Sequence, residues 1–258
     1  MPKNKPDRER TIMKILVIIS LLLFCAVMPA EASQESAADK IKTSEGDLVI
    51  SVLGHASLMM SHAGRVVHVD PFSAMADYTK MPEADLILIT HEHTDHFDLK
   101  AIDNIKAAHT KIIGTGEVAQ KLPGIIIMKN GDTKTVGGFK IEAVPAYNIE
   151  HMRRPGVPFH PKGVGNGYII TFGDKRVYIA GDTENIPEMK QLKNIDVAFL
   201  PMNIPYTMTP EMVADAAKAI RPKILYPYHY HFGTTDIPKL IELLQDAPEI
   251  DVRIRREK

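Results

Sequence analysis

The sequence predicts an α/β protein in which two β-sheets pack face to face with helices on their outer sides, a four-layer αββα sandwich. Three observations predict it. The first half of the 258-residue chain runs from hairpin-like β segments into βα units. The second half repeats that series. Leu86-Ile87-Leu88-Ile89 is wholly apolar, as a strand buried on both faces must be.

Each element has its own reason. Residues 34–45 are polar and small and read as a frayed start. Residues 48–53 form a strand that stops at Gly54, and 57–60 and 66–69 form two more, turned at His62-Ala63-Gly64. Residues 86–90 are the buried strand. The spacing predicts a helix over 99–108, a strand over 111–114, a short helix over 117–122 and a strand at 125–127. Residues 133–136 and 139–144, split by Gly137-Gly138, read as a β-hairpin. Residues 147–167 are rich in Pro, Gly and His and read as loop. Strands follow at 168–172 and 176–180, around Gly173-Asp174. The last third alternates helix 186–192, strand 197–200, a helix to 220, strand 223–226, helix 237–244 and strand 252–255. Thr209 caps the helix that ends at 220, and Pro210 suits its first position.

Composition bounds the function. With 31 basic and 32 acidic residues the net charge is -1, which gives no electrostatic case for a nucleic-acid partner. Lys3, Lys5, Arg8, Arg10 and Lys14 precede an apolar run over 15–27, and Ala30-Glu31-Ala32 precedes Ser33. That pattern reads as a signal peptide over 1–32 and one domain over 33–258, secreted to the periplasm. The run is shorter than the roughly 20 residues of a membrane span, so stable insertion after cleavage is not expected, an uncleaved anchor being the alternative. Cys25, the only cysteine, lies in the predicted signal. The mature chain then has no thiolate, and any metal must be held by histidine and carboxylate.

The segment that carries chemistry is Thr90-His91-Glu92-His93-Thr94-Asp95-His96. It places His91, His93, Asp95 and His96 at H-x-H-x-D-H spacing where a buried strand ends. Two residues apart in extended backbone, His91 and His93 face the same way. Imidazole and carboxylate are the donors of zinc and related divalent ions. Without a metal, so many polar side chains at one strand end would be desolvated and unpaired.

With this motif the chain resembles the metallo-β-lactamase superfamily, in its branch of metal-dependent hydrolases that includes lactonases and N-acyl-phospholipid phosphodiesterases. Gly54-His55-Ala56-Ser57, Val69-Asp70-Pro71, Gly181-Asp182-Thr183 and Pro227-Tyr228-His229-Tyr230 match further motifs of that branch. The resemblance implies that His91 and His93 hold a first metal, Asp95, His96 and His229 a second, and that Asp182 bridges them. His231 competes with His229, which alone matches the family's Pro-x-His. One position departs: Asn148 stands where the family has a third histidine for the first metal, and His160 or His151 of the following loop is the replacement, His160 being braced by Pro158 and Pro161.

The implied activity is attack of a metal-activated hydroxide on an ester, lactone, amide or phosphodiester of a small-molecule substrate, with Asp95 orienting the hydroxide and moving its proton. The implied cofactor is a pair of zinc ions, with manganese or iron as alternatives. His55, Asn148 and Tyr206 are the further pocket candidates, Tyr206 as a donor to an oxyanion. Competing readings are an iron-dependent oxidoreductase of the same fold, a β-lactam hydrolase, and a metal-binding protein without catalysis.

Overall fold

A computed structural model describes Met1 and residues 38–231 and 235–255; apart from Met1, the expected signal peptide lies outside the described residues. Among them no helix is long and apolar enough to cross a membrane.

Two seven-stranded sheets carry the fold. In the first, β1 (Asp39–Thr43), β2 (Gly46–Gly54), β3 (Ser57–His62), β4 (Arg65–Val69), β5 (Ala84–Leu88), β6 (Lys106–Gly114) and β7 (Ile126–Ile127) lie side by side in chain order. The chain then makes β8 (Thr133–Val136), β9 (Phe139–Ala146), and a separate two-stranded sheet of β10 (Met152–Arg154) and β11 (Val157–Pro158). It continues with β12 (Gly165–Phe172), β13 (Lys175–Ile179), β14 (Val197–Pro201), β15 (Ile224–Tyr228) and β16 (Asp251–Val252). The second sheet runs β8-β9-β12-β13-β14-β15-β16. In each sheet the early pairs are antiparallel, from β1 to β4 and from β8 to β13, and the later ones parallel. The helices are α1 (Leu99–Ile105), α2 (Gly116–Lys121), α3 (Pro210–Ile220) and α4 (Ile237–Leu243).

Strand alternation makes the four layers. Leu86 and Leu88 of β5 join Leu58, Met60, Val67 and Val69 in a core that also takes Ile141, Ile170, Val177, Ile179 and Phe199 from the second sheet. Ile87 and Ile89 point the other way and pack with Ala101, Ile102 and Ile105 of α1. Ile169, Tyr178, Ala198 and Leu200 likewise face Val213, Ala216 and Ala217 of α3. Period 2 on apolar strands thus presents one apolar face to the opposing sheet and one to a helix.

Several boundaries differ from expectation. β1 forms where a frayed start is expected, because its backbone pairs with β2 from Asp39 opposite Ile50 to Thr43 opposite Gly46. The helix expected over 99–108 ends at Ile105, where parallel pairing of β6 with β5 takes over and overrides the helix preference of Ala107 and Ala108. The helix expected over 186–192 is a single 3-10 turn, Met189–Gln191, whose start lacks a side-chain cap. Within the expected loop over 147–167 the β10–β11 hairpin forms, and β12 begins already at Gly165.

His68 of β4 is fully buried; its Nε2 donates to the Pro82 carbonyl at 3.3 Å, and its Nδ1 has no partner among the described residues. Burial pushes its pKa down to about 4. Between pH 6.5 and 4 the unfolded chain therefore binds a proton here that the native state refuses, so this contribution is complete above pH 6.5 and is lost as pH falls. The denaturant midpoint is expected to fall across that window, and less steeply in His68→Leu; equal slopes would refute the assignment.

Candidate metal centre

The centre is built at the ends of the parallel strands, where loops carry side chains off a rigid base. β5 ends at Leu88, and the segment after it leaves the sheet. The N–H groups of His96 and Phe97 both donate to the His93 carbonyl, at 3.0 and 2.8 Å, which closes a turn. Asp98 then caps α1 by accepting from the N–H groups of Lys100 and Ala101. His91 Nε2 lies 2.9 Å from His93 Nδ1, and the turn begins at His93. The turn sends His96 to the other side, where its Nε2 lies 3.1 Å from His229 Nε2.

Donor atoms fall into adjoining groups, each with its ligand atoms within 4.8 Å of one another: His91, His93 and His160; His55, Asp95, His96 and His229; and His91, His96 and Asp182. The last group takes one histidine from each of the others. Asp182 follows β13, and the preceding Gly181 needs its missing side chain: at φ +66 a Cβ would sit 2.9 Å from the Asn166 carbonyl. His229 follows β15 and donates its N–H to the His55 carbonyl at 3.0 Å, joining the two sheets at the site. His55, Asp70 and His229 all hold left-handed backbone, at φ 52, 42 and 52, a strain concentrated at the centre.

The residues behind the donors orient them. Asp70, fully buried after β4, accepts from the Thr90 N–H at 2.8 Å, the Thr90 hydroxyl at 2.6 Å and His96 Nδ1 at 2.8 Å. With its proton spent on Asp70, the Thr90 hydroxyl is an acceptor for His91 Nδ1 at 3.0 Å. Protons are thereby placed on Nδ1 of both His91 and His96, and each Nε2 faces the centre. Asn203 sets its amide 3.3 Å from His229 Nδ1.

The electrostatics suit a cation. Burial, with His96 nearby, holds His91 well below the ordinary histidine pKa, and burial pushes His160 down to about 4. Both are neutral at pH 7, as ligation requires. Burial opposes charge on Asp182, yet His229 and His96 hold it well below the carboxylate range; Asp182 and Asp70 outweigh burial at His96 and raise it, so negative charge predominates where a cation would sit. Asp95 also stays ionised, because the hydrogen bond from His55 Nε2 at 3.0 Å, with the nearby His96, outweighs its burial. Asp182 Oδ1 is the informative atom. It is buried 3.4 Å from both His96 and His229 Nε2, yet makes no hydrogen bond among the described residues. A buried carboxylate oxygen without a hydrogen bond, facing two ring nitrogens, fits a divalent metal.

A cavity of about 520 Å³ opens onto these donors, lined also by Lys121, Arg153, Phe159, Asn203, Tyr206 and His231. His55 and Tyr206 line it, and His55 also stands in the donor group with Asp95. Asn148 is a correction: it is buried and is not among the cavity's lining residues, because both ends of its amide are consumed by protein partners. His151 lies against Glu184, its Nδ1 2.9 Å from Oε1, and joins none of the donor groups. Asp70 and Glu184 were not expected to act here, and of the two only Asp70 carried a signal, its place in Val69-Asp70-Pro71.

Fold and donors together define the class: an αββα sandwich with a histidine–carboxylate centre at the ends of its parallel strands. Residues 49–229 match the family described as a β-lactamase superfamily domain, and the chain belongs to that superfamily. It is 35% identical to the UPF0173 metal-dependent hydrolase of Thermococcus onnurineus over 70% of this chain and 84% of that one. Among solved structures it is 51% identical, with a TM-score of 0.81, to a candidate metal-dependent hydrolase from Parabacteroides distasonis, covering 86% of this chain and 99% of the other. It is 26% identical, with a TM-score of 0.63, to the metallo hydrolase Igni18 of Ignicoccus hospitalis, over 80% and 94%.

Proposed function

We propose that the protein is a two-metal hydrolase, in which His91, His93 and His160 hold one ion, Asp95, His96 and His229 the other, and Asp182 lies between them. The observation that carries this is the shared group of His91, His96 and Asp182, which joins the two donor sets through one orphan carboxylate oxygen. The names of the relatives support the hydrolytic class. The all-imidazole and carboxylate donor set supports zinc, with manganese or iron as the alternatives the metal analysis would detect.

When bound, the ions would acidify a water and stabilise negative charge on the substrate. The chain's own groups do the rest. Asp95, ionised and steered by His55, accepts the proton of the attacking water and returns it to the leaving group. Tyr206, on the cavity wall, donates its hydroxyl to the developing oxyanion. Lys121 and Arg153 bring positive charge, and Phe159 apolar surface, to a space sized for a small molecule. The export signal read over 1–32 would put this reaction outside the cytoplasm.

His93→Ala is the direct test. A panel of 4-nitrophenyl acetate, dihydrocoumarin, bis(4-nitrophenyl) phosphate and nitrocefin separates ester, lactone, phosphodiester and β-lactam chemistry. Whichever substrate the wild type turns over, the variant should lose about a hundredfold or more in kcat/KM with its circular dichroism unchanged. Chelator should abolish the same activity, and added zinc or manganese should restore it. Undiminished turnover in His93→Ala or in chelator would refute the mechanism.

A further inference from the structure

Asn148 occupies the position from which a third histidine is missing, and its surroundings are fully specified. Its Nδ2 donates to Glu184 Oε1 and to the Tyr206 carbonyl, both at 2.9 Å. Those two acceptors fix the amide orientation, since neither could face an amide oxygen. Its Oδ1 must then be an acceptor, and it lies 2.8 Å from the His160 N–H and 2.7 Å from His160 Nδ1. The Asn148 N–H closes the pair by donating to the His160 carbonyl at 2.9 Å. Glu184, only 1% exposed, anchors the other side: it accepts from the N–H groups of Ile149, Glu150 and His151 at 2.8, 2.7 and 2.6 Å.

We propose that Asn148 is a positioning residue that fixes the tautomer and direction of His160, so that the substitution of the expected ligand and the recruitment of its replacement are one device. The proposal rests on the reading that His160 holds the first metal. Because Asn148 Oδ1 accepts from it, His160 Nδ1 carries the proton, and Nε2 turns inward, 3.3 Å from Asp182 Oδ2, with the ring 5.1 Å from both the His91 and His93 rings. Aspartate could not replace Asn148, because it has no donor for the Tyr206 carbonyl and would face the Glu184 carboxylate. Through Glu184 the orientation is tied to the loop just after Asp182, and through the Tyr206 carbonyl to the cavity wall.

The test reads metal binding, not turnover. Zinc affinity of the full chain is measured by chelator competition, with cobalt absorption as the signature of each site. Asn148→Ala is expected to weaken one of two ions about 10- to 100-fold and leave the other unchanged. His160→Ala should weaken the same ion, and the double variant should be no worse than His160→Ala alone. Independently of any variant's folding, ¹⁵N shifts of the zinc-loaded wild type should show His160 protonated at Nδ1 and ligated through Nε2. Two tightly held ions in Asn148→Ala or additive losses would each overturn the proposal while leaving the two-metal reading intact; a proton on His160 Nε2 would overturn the proposal together with the place of His160 among the ligands. A wild type that binds no zinc would overturn both.

Discussion

Asp182→Asn is expected to lower kcat/KM by at least about a thousandfold and to release both ions, although the substitution changes neither shape nor volume. Asp182 is the one carboxylate whose oxygens reach the rings of His96, His229 and His160, at 3.4, 3.4 and 3.3 Å. An amide there removes the negative charge that balances the site and turns two donor hydrogens toward ring nitrogens that need to be lone pairs. The loss should therefore be larger than for any single histidine, each of which serves one ion. Elemental analysis and kinetics on the folded variant check this. A variant that keeps two ions and activity within tenfold of wild type would place the centre elsewhere.

Asp70→Ala is expected to be the most damaging change outside the donor set. It leaves the Thr90 N–H, the Thr90 hydroxyl and the His96 Nδ1–H without their acceptor in a site closed to water. Each buried unpaired group costs roughly 1–3 kcal/mol, so the loss of stability should be about 3 kcal/mol or more. Alanine at φ 42 adds about 1 kcal/mol, since the left-handed region is tolerated better by aspartate. The same change frees the His96 ring and, through Thr90, the His91 ring, so the affinity of the remaining metal sites should fall about 10- to 100-fold. Asp70→Asn keeps the backbone preference and one oxygen, and should recover part of the stability. Denaturant midpoints and zinc titration of the two variants read both effects; a loss below about 1 kcal/mol in Asp70→Ala would show that Asp70 is not the anchor described.

The layers were legible because Leu86 to Ile89 and the strands of the second half carry their two-sided burial in composition alone. His91, His93, Asp95 and His96 were legible as candidate donors because they lie within six residues of one another, but the structure divides them between two groups. What sequence could not supply was partnership across the fold. Asp70 acts on residues twenty and more positions away, and Glu184 on backbone some 35 positions earlier, so neither announces itself locally. Asn148 was misplaced for the same reason: its residue type suggested a weak ligand or pocket contact, whereas its amide oxygen is held by His160, which a hairpin returns from twelve positions on. β1 was missed because its charged sequence has no core pattern of its own and is ordered by pairing with β2.

The most direct test of the central claim is the metal content of the purified chain, prepared without chelator and measured by elemental analysis. The account predicts about two divalent ions per chain, with His160→Ala retaining about one. Absence of metal from the wild type, with binding not restored by added zinc or manganese, would contradict it.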